Sequence, residues 1–322
     1  MENKIAIIDL GYRNYDYEKE LFNQNGYELK LYSGKPIDRF EKAHFVSDAK
    51  GLLVRGTVID SDFLNLTPNL KALVRYGVGY DNIDIEEATR RKIKVANVQG
   101  YANHSVSDHA LALLFACVRS LPLGSQQIRI IFSKPPVEDI FELNEKTIGI
   151  IGLGRIGGCF ASKVLHLFSE VLAYDPYIPD NKFAEVGAVK SDLITLLNKC
   201  HVISLHCNLT DETNHIIDEI AFGQMKNRPI LINTARGPVV NQNALVKALD
   251  NNIIHSAGID VFEDEPPGEK QESLFNHPRA IVTGHYAWYS DSSIEFLQRR
   301  AADNLIKLLQ GQRIEDQLNE IC

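Results

Sequence analysis

The stretch "KTIGIIGLGRIGGCFASKVLHLF", Lys146–Phe168, decides the fold. Its first half is an apolar run, Thr147–Ile151, of the kind expected for a strand buried on both faces. Its second half repeats apolar residues at helical spacing, through Ile156, Phe160, Val164 and Leu167. Between them stands Gly152-Leu153-Gly154-Arg155-Ile156-Gly157. A lone GxGxxG is weak evidence, but one that follows a strand and opens a helix is the signature of a dinucleotide-binding turn. Gly152 permits the tight turn, and Gly154 lets a pyrophosphate approach the backbone. Gly157 brings the helix close to the strand, and the helix start offers amide donors and a positive dipole end.

Working outward, Asp175 closes the next apolar run. A carboxylate there accepts the ribose hydroxyls of the adenosine half and repels a 2′-phosphate. The following Pro176-Tyr177-Ile178-Pro179 supplies no arginine to neutralise such a phosphate, so NAD is the expected cofactor rather than NADP.

Strand-like and helix-like segments alternate along the rest of the chain, which predicts parallel sheets covered by helices. Strands are expected at Lys4–Asp9, Glu28–Tyr32, Gly51–Val54, Ala72–Arg75 and Lys94–Asn97. A second series runs through Thr147–Ile151, Val171–Tyr174, Val202–His206, Ile230–Asn233, Ser256–Asp260 and Ile281–Thr283. The expectation is an α/β protein of two Rossmann-like lobes with parallel sheets. A long helix is expected over Ser107–Ser120, another from about Ser290 to Leu309 ending at Gly311, and an irregular connection over Gly124–Lys146.

The chain has 322 residues, enough for two domains, with 44% hydrophobic and 24% charged residues. Its 34 basic and 42 acidic residues give a net charge of −8, which favours neither a nucleic-acid nor an anionic-membrane partner. The longest apolar run, Ala110–Val118, is too short to span a bilayer. The N-terminus reads straight into an apolar strand, without the pattern of a secretory signal. The five cysteines form no CxxC pair, and His201, His206 and Cys207 find no second cluster, so no metal site is expected. A reduced, cytoplasmic protein is the expectation.

Three polar residues follow strands of the nucleotide-binding half: Arg236 after "ILINTA", Glu265 after "AGIDVFED" and His285 after "IVTG". Ligands of open α/β sheets bind at the carboxyl ends of the strands. Hydride transfer to a carbonyl carbon needs a proton donor, which histidine suits. A carboxylate such as Glu265 holds the imidazole in one tautomer and stabilises its charged form. An arginine clamps a substrate carboxylate through paired hydrogen bonds that lysine cannot make.

With these residues in place, "GLGRIG", "NTARGPVVN", "AGIDVFEDEP" and "TGHYAWYS" resemble the successive signatures of the NAD-dependent D-2-hydroxyacid dehydrogenases. "VRYGVGYDNIDI" (Val74–Ile85) and "HSVSDHALALLFACVRSL" (His104–Leu121) resemble them too. The "HYAWYS" ending is most similar to the subgroup that contains the C-terminal-binding proteins, which are dehydrogenase-like corepressors. The resemblance implies a discontinuous substrate-binding domain, 1–100 with 290–322, and an NAD-binding domain, 101–289. It implies Arg236 as clamp, His285 as acid/base and Glu265 as its partner. Val78 and Gly79 would offer amides to the substrate from the other lobe. Cofactor contacts are implied at Val106, Gly152–Gly157, Asp175, Pro176, His206, Cys207, Asn208, Thr213, Thr234, Ala235, Arg236, Asp260, His285 and Ala287. The family is typically homodimeric.

Two departures stand out. Gly284 occupies the place before the histidine where the family usually has proline, and Asn208 another place where proline is common. Glycine widens the loop's conformational freedom and so loosens His285. The expected activity is interconversion of a 2-oxo acid and a D-2-hydroxy acid. The alternatives are an NAD(H)-responsive corepressor or binding protein, and a formate- or phosphite-type oxidoreductase. Glu265 stands where formate enzymes use glutamine and argues against the formate case. Tyr76 and Trp288 are candidate walls of the substrate pocket, and Arg55 a candidate partner for a phosphate or second carboxylate.

Overall fold

A computed structural model of the chain describes residues 3–34, 38–131 and 140–321. The chain separates into two units, Met1–Tyr101 with Ser290–Cys322, and Ala102–Tyr289.

In the first unit β1 (Lys4–Ile7), α1 (Asp16–Gln24), β2 (Glu28–Leu31), α2 (Arg39–Val46), β3 (Gly51–Val54), α3 (Ser61–Asn65), β4 (Ala72–Arg75), α4 (Ile85–Arg90) and β5 (Lys94–Ala96) alternate. The strands form one parallel sheet in the order β2-β1-β3-β4-β5. That is a doubly wound order whose direction reverses between β1 and β3, so ligands belong at the carboxyl ends of those two strands. Asp38, Asp60 and Asp84 each accept an amide hydrogen bond as the N-cap of a helix. The helix Asp291–Leu309 returns to this unit and buries Leu297, Ala301 and Leu305 beside Ile5 and Leu53. Ser290 caps its start, and Gly311, at φ 82°, ends it as a left-handed glycine should.

The second unit opens with α5 (Asn103–Val118) and α6 (Leu121–Ile131). Its strands are β6 (Thr147–Ile151), β7 (Glu170–Tyr174), β8 (Val189–Lys190), β9 (Val202–Leu205), β10 (Ile230–Asn233), β11 (Ser256–Ile259) and β12 (Ala280–Val282). All pair in parallel in the order β12-β11-β10-β9-β6-β7-β8. Central strands are buried along nearly their whole length, as expected where helices cover both faces. The helix α7 (Arg155–Val164) follows β6 directly, and the sheet reverses direction between β6 and β9. α5 packs against α7 and across β10 and β11.

The expected irregular connection over Gly124–Lys146 is corrected in part. Its beginning is helical, because α6 continues to Ile131; residues 132–139 of that stretch lie outside the described residues. β8 was not anticipated, because two exposed residues carry no hydrophobic pattern. Among the described residues no single helix is long and apolar enough to cross a membrane, and no group of three His, Cys, Asp or Glu side chains is placed to hold a metal.

Candidate active site

The glycine turn sits at the switch point of the seven-stranded sheet. Gly152 has φ 88°, and a Cβ there would lie 2.5 Å from the backbone nitrogen of Cys207, which follows β9. A Cβ on Gly157 would lie 2.0 Å from the carbonyl oxygen of Gly152, so the helix can close on the strand only without a side chain. Gly154, the N-cap of α7, faces open space: a Cβ there would meet no atom within 4 Å. Leu153 donates its amide to Asp175 Oδ2 at 2.9 Å and Tyr177 donates to Oδ1 at 3.0 Å. Each carboxylate oxygen keeps a second acceptor site for a ribose hydroxyl. Asp175 and Pro176 line a cavity of about 560 Å³ together with Tyr174, Lys190, Ser191 and Thr195.

Two buried polar atoms at neighbouring strand ends have no protein partner, His206 Nδ1 and Thr234 Oγ1. Burial pushes the His206 imidazole down to about 3, which leaves it neutral, while burial holds the Cys207 thiol up at about 11. A bound ligand at these strand ends would supply the partner that each atom lacks. Together with the open face of Gly154 and the acid at the end of β7, they fit a dinucleotide. Thr213, whose hydroxyl donates to the Asn208 carbonyl at 2.6 Å, closes the loop after β9.

The three polar residues expected to do chemistry lie in the same unit. Arg236 follows β10 and holds its guanidinium against the Ala235 carbonyl at 2.8 Å. Glu265 Oε2 lies 2.5 Å from His285 Nδ1, and the Phe262 amide donates to Oε1 at 3.2 Å. A carboxylate facing Nδ1 fixes the proton there, so Nε2 is the nitrogen left to exchange a proton. Burial raises the Glu265 carboxyl. The His285 hydrogen bond and charge, the Phe262 amide and the charge of Arg236 outweigh it and leave the carboxyl below its ordinary range. His285 itself adopts φ 54°, a conformation that non-glycine residues hold only when their surroundings enforce it.

Those surroundings were not legible in the sequence. Asp260, fully buried, accepts from the amides of Tyr286 (3.2 Å) and Ala287 (2.9 Å) and from the Thr283 hydroxyl (2.6 Å). The Trp288 indole donates to the His285 carbonyl at 2.9 Å, so the tryptophan expected as a pocket wall also braces the histidine's own backbone. Val106, expected at the cofactor, is a buried residue of α5, and Ala287 is buried beside Asp260. Lys190, which lines the same cavity as Asp175, ion-pairs with Asp180 at 2.6 Å; it lies on β8, whose two exposed residues carry no strand pattern.

In the first unit Asp9, at the end of β1, gathers the loop after β3. It accepts from the amides of Arg55, Gly56 and Thr57 at 2.8–2.9 Å, from the Thr57 hydroxyl and from the buried Lys42 ammonium. Burial raises its carboxyl, but Lys42, Thr57 and Gly56 together bring it down to about 2. The Arg55 guanidinium packs against Gly11, where a Cβ would lie 2.8 Å from Nη1. The buried Tyr12 hydroxyl in the same cluster has no partner, and the charges of Arg55 and Arg75 both act on it. Val78 and Gly79 follow β4, and the Val78 carbonyl accepts from Asn97 at 2.6 Å. Tyr76 does not line a pocket. It is 1% exposed, and its hydroxyl donates to Glu18 at 2.9 Å, because the residue after β4 turns its ring into the core under the returning helix.

A parallel sheet of this order with a glycine turn at its switch point defines a dinucleotide-binding unit. Residues 111–287 match the family model "D-isomer specific 2-hydroxyacid dehydrogenase, NAD binding domain", and the chain belongs to that family. It is 38% identical over 261 residues to a glyoxylate reductase of Thermococcus litoralis, covering 79% of this chain and 78% of that protein. It is 34% identical over 293 residues to the D-3-phosphoglycerate dehydrogenase of Mycobacterium tuberculosis, covering 91% of this chain but only 55% of that protein. The chain thus spans about half the length of the phosphoglycerate dehydrogenases it matches. Among solved structures it resembles the D-lactate dehydrogenase of Aquifex aeolicus in complex with NAD and lactic acid. The TM-score is 0.85 at 28% identity, over 95% of this chain and 96% of the other. The second unit therefore carries the family's NAD-binding domain, and its cofactor is NAD.

Proposed function

We propose that the chain is an NAD-dependent oxidoreductase that interconverts a 2-oxo acid and a D-2-hydroxy acid. The observation that carries this is the 2.5 Å pairing of Glu265 with His285 Nδ1, in the unit that holds the nucleotide turn. The bound nicotinamide supplies or accepts the hydride. His285 Nε2 gives a proton to the carbonyl oxygen in reduction and takes it back from the hydroxyl in oxidation. Glu265 holds the ring in one orientation and fixes the proton on Nδ1. Arg236 takes the substrate carboxylate through two parallel hydrogen bonds. The discontinuous unit, 1–101 with 290–322, is the substrate-binding domain in this reading. Taken by itself it carries a cationic, hydrogen-bonding cluster of Arg55, Arg75 and Tyr12, which favours substrates with a second anionic group. The apolar side chains Leu121, Leu123 and Ile128, exposed on α6, support a homodimer. The free thiols Cys117, Cys159, Cys200 and Cys207 suit a reducing cytoplasm.

The test is NADH oxidation across a panel of 2-oxo acids with branched, aromatic, methylthio, dicarboxylic and phosphorylated members. Turnover is expected for at least one, lowest KM values for the doubly anionic members, and loss of turnover with retained NADH binding in His285→Ala. Tight NADH binding with no acid reduced at any pH rejects the reading.

A further inference from the structure

The loop Thr283–Ala287 has a problem to solve. It holds His285 at positive φ, and it begins with Gly284, whose missing side chain leaves open space within 4 Å. Nothing in the loop's own sequence enforces that shape. The enforcing contacts come from Asp260, from the Trp288 indole on the His285 carbonyl and, from α5, from His109. The His109 Nε2 atom lies 3.0 Å from the Thr283 hydroxyl and 3.5 Å from Asp260 Oδ1. Its ring stands edge-on to Tyr286, with centroids 5.0 Å apart and planes at 77°. His109 therefore touches the residue on each side of the Gly284-His285 pair.

Proton counting orients the chain of bonds. The Thr283 hydroxyl has one proton and gives it to Asp260 Oδ1 at 2.6 Å. Toward His109 it can only accept, so Nε2 of His109 carries a hydrogen and donates it. Removing that donor leaves the Thr283 oxygen half-satisfied in a largely buried place and frees Tyr286 on one side. The Asp260 carboxylate then holds the loop through the Tyr286 and Ala287 amides and a Thr283 hydroxyl that His109 no longer orients.

We propose that His109 is a positioning residue, which acts through Thr283, Asp260 and Tyr286 to hold His285 in its reactive orientation. This rests on the dehydrogenase reading above for its kinetic arm, and on the loop geometry alone for its structural arm. The device answers the looseness that Gly284 introduces, because it supplies from a helix the restraint that a proline would have supplied within the loop.

The experiment compares His109→Ala, His109→Gln and His109→Asn in the full chain. The glutamine amide nitrogen reaches about as far as imidazole Nε2, whereas that of asparagine reaches only about as far as Nδ1. His109→Ala and His109→Asn are expected to lower kcat on the order of ten-fold, since small displacements of a reacting group are costly, with the NADH Kd unchanged. His109→Gln is expected to recover most of the rate. Hydrogen exchange followed by mass spectrometry, with NADH present, should show faster exchange at Tyr286 and Ala287 in the alanine and asparagine variants but not in the glutamine variant. Thr283→Val removes this link together with the Thr283–Asp260 hydrogen bond, so it should be at least as impaired as His109→Ala, and adding His109→Ala to it should cost little more. Unchanged kcat and exchange in His109→Ala, or a glutamine variant as impaired as alanine, overturns the proposal. If the unmodified protein reduces no 2-oxo acid, the exchange comparison still decides the positioning role, and only the dehydrogenase reading falls.

Discussion

Three glycines within five residues of one turn should respond to the same substitution in three different ways. For Gly157→Ala the new Cβ would lie 2.0 Å from the Gly152 carbonyl oxygen and 3.3 Å from His206 Cβ. The first contact is to backbone, so relief requires the turn and α7 to separate by more than about 1 Å. Overpacking of this kind costs roughly 2–3 kcal/mol, and at this chain length lowers Tm by roughly 3–5 °C. For Gly154→Ala no protein atom lies within 4 Å of the new Cβ, and only the weaker N-cap propensity of alanine acts against folding, about 1 kcal/mol or less. The methyl nevertheless occupies the space through which a pyrophosphate approaches the backbone, so the NADH Kd should rise at least about ten-fold, or 1.4 kcal/mol. For Gly158→Ala the Cβ meets Val186 at an ordinary 3.6 Å. In a helix interior alanine is favoured over glycine by roughly 0.5–1 kcal/mol, so Tm should hold or rise and the Kd should not move. Scanning fluorimetry reads stability, and NADH titration read through the protein's single tryptophan, Trp288, reads binding. Wild-type NADH affinity in Gly154→Ala would refute the placement of the pyrophosphate at this turn. Wild-type Tm in Gly157→Ala would refute the close approach of helix and strand.

Arg236→Lys should raise the KM for the 2-oxo acid by on the order of ten-fold or more with a smaller change in NADH affinity, because a point charge cannot replace a two-pronged donor; steady-state kinetics decide it, and an unchanged KM removes Arg236 from the clamp. Asp9 has a folded-state value near 2 against 3.8 in the unfolded chain, so its contribution of about 2 kcal/mol is fully present above roughly pH 4 and is lost as the pH falls toward 2. Denaturant unfolding of Asp9→Asn should therefore show a stability deficit at neutral pH that shrinks as the solution is acidified toward pH 2. A deficit constant with pH contradicts the pairing with Lys42.

Much of the fold was legible because parallel strands buried on both faces are written as continuous apolar runs, as at Thr147–Ile151 and Ile230–Asn233. Helix ends were legible where one residue carries the geometry, as at Ser290 and Gly311. β8 was illegible for the opposite reason: Val189 and Lys190 are both exposed, and only pairing with β7 makes them a strand. Gly124–Ile131 lost its helical signal to a glycine at the start and to Ile128, an apolar side chain that faces outward. Tyr76 read as a candidate wall of an apolar substrate pocket, yet which way a ring turns at the end of a strand depends on what covers that face. Here the covering element, Asp291–Leu309, arrives from the far end of the chain.

By itself, then, the sequence determined what depends on local steric and periodic rules. Those are the strand series, the glycine turn, the acid at Asp175, and the residue types at Arg236, Glu265 and His285 able to clamp a carboxylate and move a proton. Only the tertiary structure decided which groups meet across long separations. It put Glu265 on Nδ1 of His285, Asp260 under the Tyr286 and Ala287 amides, His109 against Thr283, and Asp9 under the Arg55 loop. Hydrogen bonds have strict distance and direction, and no periodicity along the chain records them. They exist because sheet order and helix packing bring polar atoms from distant parts of the chain within about 3 Å of one another.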